Sequence, residues 1–210
     1  MEKNTITIND IPYNINEIEG LVWKNLINGA SKSRDGFHTM TIGTWDDENQ
    51  QVALRTVVLR KTDEAKKTLF FHTDTRSRKF EHLKKNPKIS ILLYDAHRRI
   101  QLTISALVDI HTDDELAQQR WISTNPQSRR CYMTVDAPHD EVDFPSIGYD
   151  EKFTTTEPTE FESNPFRANF CVVECKVKSI EWLFLHHTGN RKAMFHYEDG
   201  KLTKTQWHVA

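Results

Sequence analysis

Hydrophobic and polar residues alternate with a period of two along most of the chain, which predicts antiparallel strands. Turn-rich sequences separate pairs of these segments, so that each pair is predicted to form a hairpin. The predicted hairpins join 37–45 to 51–60, 89–94 to 98–110, and 190–197 to 201–209, and two further strands cover 68–72 and 169–185. This meander order, with helices before and between the strands, predicts a small antiparallel β-barrel with flanking helices.

Three segments carry apolar residues at a helical spacing instead. The first opens with a capping box formed by Asn16 and Glu19, and Gly29 is placed to end it. The second covers 77–85, where an Asn-Pro pair forbids continuation of the helix. The third follows a capping box that begins at Thr112 and stops near the next Asn-Pro pair.

The periodicity is lost between residues 127 and 166, where the chain contains four prolines and many acidic residues. A connection of about 40 residues is long for a compact domain. We therefore expect a single domain over 1–210 with an excursion at about 127–166 that serves as a lid, an oligomer arm or a partly disordered loop.

Composition narrows the functional classes. The chain has 210 residues, of which 37% are hydrophobic and 28% charged, so it can bury a substantial core. A net charge of −2 and a pI near 6.6 make bulk adhesion to nucleic acid or membranes a poor expectation. The N-terminus lacks the apolar core of a signal peptide, and no run approaches the roughly 18 apolar residues of a membrane span. We expect a soluble cytoplasmic protein.

The cysteines and histidines do not suggest a metal site. Cys171 and Cys175 are four residues apart on a predicted strand, which puts both on one face as small buried hydrophobic residues. The ten histidines have no spacing typical of metal ligands. We predict no metal.

Positive charge is concentrated in one region of this otherwise neutral chain. Arg55 and Arg60 lie at the ends of one predicted strand, and Arg76, Arg78 and Lys79 surround the start of the second helix. A helix N-terminus is an anion site, and a basic first turn destabilises a helix unless an anion is present. The simpler alternative is a solvated helix face. A basic helix that binds nucleic acid is disfavoured because its charges lie on more than one face.

The same region carries a resemblance to a known family. The motifs are R-x-V-x-L-R at 55–60, F-x-T-x-x-x-S-R-K at 71–79, Asn86-Pro87 after the helix, and Gln101 in the following hairpin. Their order resembles the FMN-binding core of the pyridoxamine 5'-phosphate oxidase family of split-barrel flavoproteins. The resemblance implies a mainly β fold with flanking helices, an antiparallel split β-barrel that binds FMN. It also implies a homodimer with the flavin in a groove between the two protomers.

Site residues are carried over from the family position by position. Arg55 matches the arginine that holds the flavin phosphate, Gln101 a ring contact, and Trp182 a tryptophan contributed by the second subunit. The full set expected to contact FMN is Arg55, Thr56, Val57, Val58, His72, Thr73, Ser77, Arg78, Lys79, Gln101 and Trp182. No side chain is assigned as a catalytic acid, base or nucleophile.

The substrate-binding positions depart from the family. Arg60 stands where lysine is usual, and the Tyr, Arg and Ser that complete the substrate's phosphate grip are matched by Trp121, Asn125 and Arg129. The C-terminal Arg-x-His is missing, although Arg191 lies nearby. The resemblance thus implies an FMN-dependent oxidoreductase with an unassigned substrate.

Two alternative functions stay open. One is a true pyridoxamine 5'-phosphate oxidase that uses Arg60, Arg129 and Arg191, and the other is a non-catalytic flavin carrier or redox sensor.

Overall fold

The computed structural model of the chain describes residues 5–8 and 11–210. The strands are β1 (Thr5–Ile8), β2 (Ile11–Asn14), β3 (Thr39–Asp46), β4 (Gln51–Val58), β5 (Lys61–Asp63), β6 (Thr68–Asp74), β7 (Lys88–Asp95), β8 (Ile100–His111), β9 (Phe170–Phe184), β10 (Arg191–Glu198) and β11 (Lys201–His208). The α-helices are α1 (Ile15–Ser31), α2 (Arg78–Lys85), α3 (Glu115–Ser123), α4 (Pro126–Arg129) and α5 (Glu160–Ser163). Short 3-10 helices cover Arg130–Tyr132, Glu151–Thr154 and Asn164–Asn169.

One antiparallel sheet forms the body of the molecule. Its main path runs β11-β10-β9-β8-β7-β3-β4, and β5 and β6 branch from β9. The long strand β9 makes this branch possible, because β6 pairs with its first half from Phe170 to Lys176 and β10 pairs with its second half from Ser179 to Phe184. The first four residues of β9 are apolar and buried, and the rest of the strand alternates between buried and more exposed residues, in agreement with its position in the centre of the sheet.

The sheet curls until β4 approaches β6 but does not close. The Arg60 backbone N–H, just beyond β4, donates to the Phe70 carbonyl of β6 at 2.8 Å. No ladder of strand pairs joins β4 to β6 in the described residues. We call this opening the seam. The predicted class, mainly β with flanking helices in an antiparallel split barrel, is confirmed.

Helix α1 packs against the barrel through a buried polar network. Glu19 accepts hydrogen bonds from the Lys67 ammonium at 2.9 Å and the Tyr197 hydroxyl at 3.0 Å, and Trp23 donates its indole N–H to Tyr197 at 3.2 Å. Lys67 also lies 4.7 Å from the Trp23 ring centre. Because buried polar groups need partners, this network fixes the position of α1 relative to β10.

Helix boundaries differ from the predictions where two local signals compete. The capping box of α1 uses Asn14 and Glu17, not Asn16 and Glu19, since the extended strand β2 continues up to Asn14. Gly29 lies inside α1, which continues to Ser31. The cap of α3 is Asp114, whose side chain accepts the Ala117 N–H, so the predicted Thr112 capping box is wrong.

Two short elements were not predicted, and the excursion is more ordered than expected. The hairpin of β1 and β2 and the three-residue strand β5 are too short for a clear alternation. The excursion contains α4, α5 and the 3-10 helices, and its start packs in a second hydrophobic cluster on the outer side of β6 and β9. That cluster consists of Phe70, Ala117, Trp121, Tyr132, Phe170 and Val172.

The two glycines of α1 provide a matched test of its packing. A Cβ added at Gly29 would lie 2.7 Å from the Phe37 carbonyl oxygen, whereas one at Gly20 meets no atom within 4 Å. We expect Gly29→Ala to lower the free energy of unfolding by about 1–3 kcal/mol, since the backbone around Phe37 must move. Gly20→Ala should raise it by about 0.5–1 kcal/mol. Urea denaturation of both variants measures this, and a stabilising Gly29→Ala would contradict the packing described.

Candidate anion-binding site

Cationic side chains converge where the inner face of β4 meets the end of β6 and the start of α2. Arg55 is paired across the strands with Ile42, a fully buried core residue, so both side chains point to the inner face of the sheet. Lys79 lies in the first turn of α2, which begins four residues after β6 ends at Asp74. The seam between β4 and β6 leaves this region accessible.

Arg55 is fixed by a hydroxyl group and not by a carboxylate. Its guanidinium donates to the Thr44 hydroxyl, and that hydroxyl also contacts His82 Nδ1 of α2 at 3.0 Å. Desolvation lowers the pKa of Arg55, and the charge of Asp46 only partly opposes this effect. Arg55 is therefore positioned by neutral contacts and keeps donors for another ligand.

Lys79 is a second cation held close to Arg55. Its ammonium donates to the Thr73 hydroxyl at 3.0 Å. Burial lowers the pKa of Lys79, and the charge of Arg55 lowers it further. Two partly buried cations that repel each other are unfavourable alone, and a bound anion would relieve both the desolvation and the repulsion.

The N-terminus of α2, whose first turn contains Lys79, has no side-chain cap. Ser77 occupies the N-cap position, but its hydroxyl donates to the Asp74 carbonyl at 2.7 Å and does not accept from the helix. The side chain of Arg78 is exposed and forms no hydrogen bond or ion pair within residues 5–8 and 11–210. The first turn thus presents backbone N–H groups and a free guanidinium, the donor set that phosphate requires. We call Arg55, Ser77, Arg78 and Lys79, with the first turn of α2, the anion clamp.

Arg76, which belongs to the cationic cluster in the sequence, is not part of the clamp. Its guanidinium pairs with Asp74 at 2.8 Å and donates to the Thr134 carbonyl at 3.0 Å. It also reaches the Val135 carbonyl at 3.3 Å. Since all of its charge is compensated, Arg76 anchors the excursion to the turn that precedes α2.

Arg60 lies on the opposite face of the strand from Arg55. The side chain of Leu59 points into the core, and Arg60 points outward and is exposed. Of the expected flavin contacts, Val57 and Val58 are half-buried and Thr56 is exposed along the seam strand, so backbone and side chains are accessible there. His72 lies on β6 and faces the second hydrophobic cluster, with its ring 4.8 Å from that of Phe170.

Gln101 is distant from the clamp within one chain. It lies on β8, which is separated from β4 by β7 and β3, so the two strands are about 14 Å apart at the usual strand spacing. Gln101 is half-buried on the outer face of the sheet, beside Tyr94 and Leu183. Gln101 therefore lies on another face of the sheet and three strands away from Arg55 of the same chain.

Trp182 is placed in the core. Its side chain is fully buried, stacked against Phe184 with ring centres 6.0 Å apart and in edge contact with Trp207. The resemblance implies that Trp182 contacts a ligand across a subunit interface, whereas in this structure no part of the indole reaches the surface. Its buried N–H has no partner among the described residues.

Trp121 and Arg129, which the resemblance implies as substrate-binding residues, are both buried and hydrogen-bonded inside the fold. Trp121 is buried and donates its indole N–H to Asn164 at 3.0 Å. Arg129 is 2% exposed, lies 4.8 Å from the Trp121 ring centre, and donates to Ser163 and to two backbone carbonyls. Their hydrogen bonds join the excursion to α3.

Arg191 is exposed, and its guanidinium donates only to the neighbouring carbonyls of Gly189 and Asn190. It begins β10, which lies at the opposite side of the sheet from β4. Arg191 therefore does not join the clamp of its own chain.

Two residues that the sequence analysis did not include, Thr44 and His82, orient Arg55. Thr44 lies on the same inward face of β3 as Met40 and Ile42. A polar residue at an inward position was the sequence feature that could have pointed to its role.

Neither a membrane-spanning helix nor a metal-binding cluster occurs in residues 5–8 and 11–210. None of the helices there has the length and apolar content to cross a bilayer. In the same residues, no group of three or more histidine, cysteine or acidic side chains is arranged to hold a metal ion. Cys171 and Cys175 are buried on one face of β9 as expected, and burial raises the pKa of Cys171 to about 12.

Comparison with known proteins identifies related sequences and folds. The sequence model of a family described as pyridoxamine 5'-phosphate oxidase matches residues 31–143. A pyridoxamine 5'-phosphate oxidase-related, FMN binding protein from Nostoc punctiforme shares 21% identity and a TM-score of 0.71, over 91% of this chain and 96% of that one. PhzG from Burkholderia lata, solved in complex with tetrahydrophenazine-1-carboxylic acid, shares 15% identity and a TM-score of 0.66, over 91% and 92%. No curated protein sequence matches the chain.

Proposed function

Because the chain belongs to the pyridoxamine 5'-phosphate oxidase family, we propose that it binds FMN through the anion clamp and works as an FMN-dependent oxidoreductase. The observation that carries the proposal is the pair Arg55 and Lys79, two partly buried cations whose charges interact beside an uncapped helix N-terminus. FMN is an anion whose phosphate fits this donor set. The Nostoc relative, described as FMN binding, supports the choice of ligand.

The residues of the clamp fit the phosphate group well. Arg55 and Arg78 can each offer a two-pronged guanidinium, and Lys79 supplies a point charge. Backbone N–H groups at the start of α2 complete the donor set. Thr56, Val57, Val58 and Thr73 line the adjoining seam, where we expect the rest of the cofactor to lie.

Bound FMN would supply the redox chemistry, by accepting a hydride from a reduced substrate or passing one on. The contribution of the chain is binding, orientation and exclusion of water. Arg55 and Lys79 fix one end of the cofactor, and the curled sheet provides a rigid wall along the seam. None of the side chains around the clamp needs to act as an acid or base, so we assign no catalytic residue.

We propose a second copy of the chain as the partner of this one. The outer sheet face exposes Leu54 by 69% and Tyr94 by 49%, and Gly43 between their strands leaves a groove of about 460 Å³ lined by Trp45 and Leu107. We propose that this face forms a homodimer interface, through which Gln101 of one chain reaches the clamp of the other. Sedimentation should give a species of twice the 24.6 kDa chain mass. A fully FMN-loaded monomer would contradict the dimer.

The alternative of a true pyridoxamine 5'-phosphate oxidase is weakened by the position of Arg129. This alternative uses three arginines. Arg129 is buried and hydrogen-bonded inside the fold, and Arg191 lies on the far side of the sheet. Only Arg60 of the three is then free to bind the substrate's phosphate. A non-catalytic carrier or redox sensor stays a second candidate, because the excursion is tied to the clamp through Arg76. We expect a cytoplasmic location, since neither proposal involves a membrane or nucleic acid.

One assay separates these alternatives. FMN-loaded protein is incubated with pyridoxamine 5'-phosphate under air, and flavin absorbance and peroxide are followed. We expect no reduction of the flavin with this compound, because its phosphate grip is missing, whereas chemical reductants should bleach the flavin and oxygen should restore it. Rapid reduction by pyridoxamine 5'-phosphate with peroxide release would reject the proposal of a different substrate. A flavin that oxygen and other acceptors cannot reoxidise would favour the carrier.

A further inference from the structure

A closed loop without helix or strand projects from the excursion at residues 135–148. Its two ends meet, because the Val135 N–H donates to the Gly148 carbonyl at 2.9 Å. Gly148 has a φ of +78°, and a Cβ there would lie 2.9 Å from the Thr134 side chain, so this end of the loop favours glycine. Compact surface loops whose ends meet are frequently functional. We call residues 135–148 the acidic loop.

Arg76 holds the base of the acidic loop beside the anion clamp. Its guanidinium donates to the carbonyls of Thr134 and Val135, at 3.0 and 3.3 Å. Arg76 is also the residue before Ser77, which belongs to the clamp. The position of the loop relative to the clamp is therefore fixed at the base, whereas its tip extends away from the fold.

The tip of the acidic loop exposes apolar side chains. Residues 141–147 are all exposed, and Phe144 among them is 71% exposed. Val142 and Ile147 are each about half exposed, and both line one cavity on the loop. Apolar side chains that are exposed together mark a surface for a partner, whereas isolated ones do not.

The charge of the acidic loop is not compensated. The loop contains four acidic residues and no lysine or arginine. At the tip, the carboxylates of Glu141 and Asp143 form no hydrogen bond or ion pair within the part of the chain that the structure describes. A surface that is both apolar and acidic is complementary to one that is apolar and basic.

A groove with this complementary chemistry lies on the outer face of the sheet. It is the groove of about 460 Å³ beside Gly43, with Trp45 and Leu107 among its apolar walls. Lys88 and Lys178 also line it, and both are exposed. Neither ammonium group forms an ion pair or hydrogen bond in residues 5–8 and 11–210, and no acidic side chain of those residues lines the groove.

The proposed homodimer brings the acidic loop of one chain near the groove of the other. In that dimer Gln101 reaches the partner's clamp, beside which Arg76 holds the partner's loop. Residues 105–107 of the same strand line the groove, about 13–20 Å from Gln101 along β8. A loop of 14 residues that is closed at its base can extend by up to about 23 Å, which covers this distance.

We propose that the acidic loop of each chain docks in the lysine-lined groove of a second copy, with Phe144 in the groove and its two acidic neighbours beside the lysines. The inference rests on the proposed dimer and names the segment that fills its groove. A two-fold axis makes the exchange reciprocal, so that two loops fill two grooves. Because Arg76 joins the loop to the turn before α2, docking also restricts the motion of the clamp.

Disulfide cross-linking tests the contact directly. Cys131→Ser removes the exposed native thiol and provides the background, in which Phe144→Cys and Leu107→Cys are introduced alone and together. The FMN-loaded proteins are oxidised mildly and separated by mass under denaturing, non-reducing conditions. We expect a covalent dimer only when both substitutions are present, because one thiol then lies in the loop and the other in the partner's groove.

Three results of the cross-linking experiment would overturn the proposal. A covalent dimer from either single variant would place groove against groove or loop against loop. Loss of both thiols without a covalent dimer would show that the loop closes on the groove of its own chain. A double variant that sediments as a dimer but keeps both thiols free would show that loop and groove do not meet.

Charge reversal tests the same contact without a covalent bond. Glu141→Lys combined with Asp143→Lys should weaken dimerisation about tenfold or more, since it sets like charges against the groove lysines. Reversing both groove lysines to glutamate as well should restore most of the affinity. Glu151→Lys with Glu157→Lys, at exposed positions outside the loop, is the matched control and should change nothing. Sedimentation at several concentrations measures the affinity, and an unweakened dimer of the folded loop variant would overturn the proposal.

Docking of the loop and FMN binding can fail separately. A native dimer that takes up FMN but shows neither the cross-link nor the charge effect would reject docking alone. A dimer that shows both but takes up no FMN would support docking and reject FMN binding. A native chain that stays monomeric would reject docking together with the dimer, and its FMN content would still decide whether the clamp binds the cofactor.

Discussion

Arg55→Ala is expected to weaken FMN binding by about 10- to 100-fold, as is usual when a hydrogen bond to a charged ligand is lost in a partly buried site. Arg55 is positioned by Thr44 and His82 before any ligand arrives, so its donors need no reorganisation. Equilibrium dialysis against FMN measures the change. Unaltered affinity in folded Arg55→Ala protein would contradict the clamp.

Lys79→Met provides a second readout of the same site. Without FMN, this variant should unfold at the same temperature as the native chain or a higher one, because the substitution removes a buried cation that Arg55 repels. With saturating FMN, the native chain should gain more stability than the variant. Arg34→Ala is the control for general loss of charge, and it should change neither quantity. A variant that is destabilised equally with and without FMN would make Lys79 structural.

Arg129→Ala is expected to lower the free energy of unfolding by about 3 kcal/mol or more, with no direct effect on FMN affinity. The substitution removes the donor to the carbonyls of Thr124 and Ile122 and the buried bond to Ser163, and it also removes the guanidinium that stacks on Trp121. Urea denaturation measures the stability, and FMN affinity is measured at low temperature where the variant is folded.

Arg191→Ala is the matched control for Arg129. Its guanidinium is exposed and bonds only to adjacent carbonyls, so a change within about 0.5 kcal/mol is expected. An Arg129→Ala protein as stable as the native chain would contradict the structural role of Arg129 and favour the substrate-binding role that the resemblance implied.

The strands and the clamp could be predicted because their signals are local. Alternation with turn residues specified the hairpins of β3 with β4, β7 with β8 and β10 with β11, and the observed pairings agree. The clamp was predictable for a similar reason. Basic residues at the start of a helix are unfavourable by themselves, so Arg78 and Lys79 pointed to an anion before the fold was known.

The sequence could not show which polar side chains would be hydrogen-bonded inside the tertiary structure. Arg129 and Trp121 look like ligands in the linear order, but their donors satisfy backbone and side-chain acceptors in α5 and the adjacent segments. Trp182 alternates in phase with Ile180 and Phe184, which favours a buried position, and only the resemblance suggested a ligand contact for it. The buried His72 Nε2 and Arg120 Nε atoms, which have no hydrogen-bond partner among the described residues, likewise depend on how α3 packs against β6, a contact between segments about 50 residues apart.

The flavin content of the purified native protein tests the central claim most directly. The protein is dialysed with FMN, freed of excess cofactor and denatured by heat, and the released flavin is quantified against the protein concentration. Our account predicts one FMN per chain, and less than about a tenth of that from Arg55→Ala protein treated identically. A native protein that stays colourless, and whose unfolding temperature FMN does not raise, would contradict it.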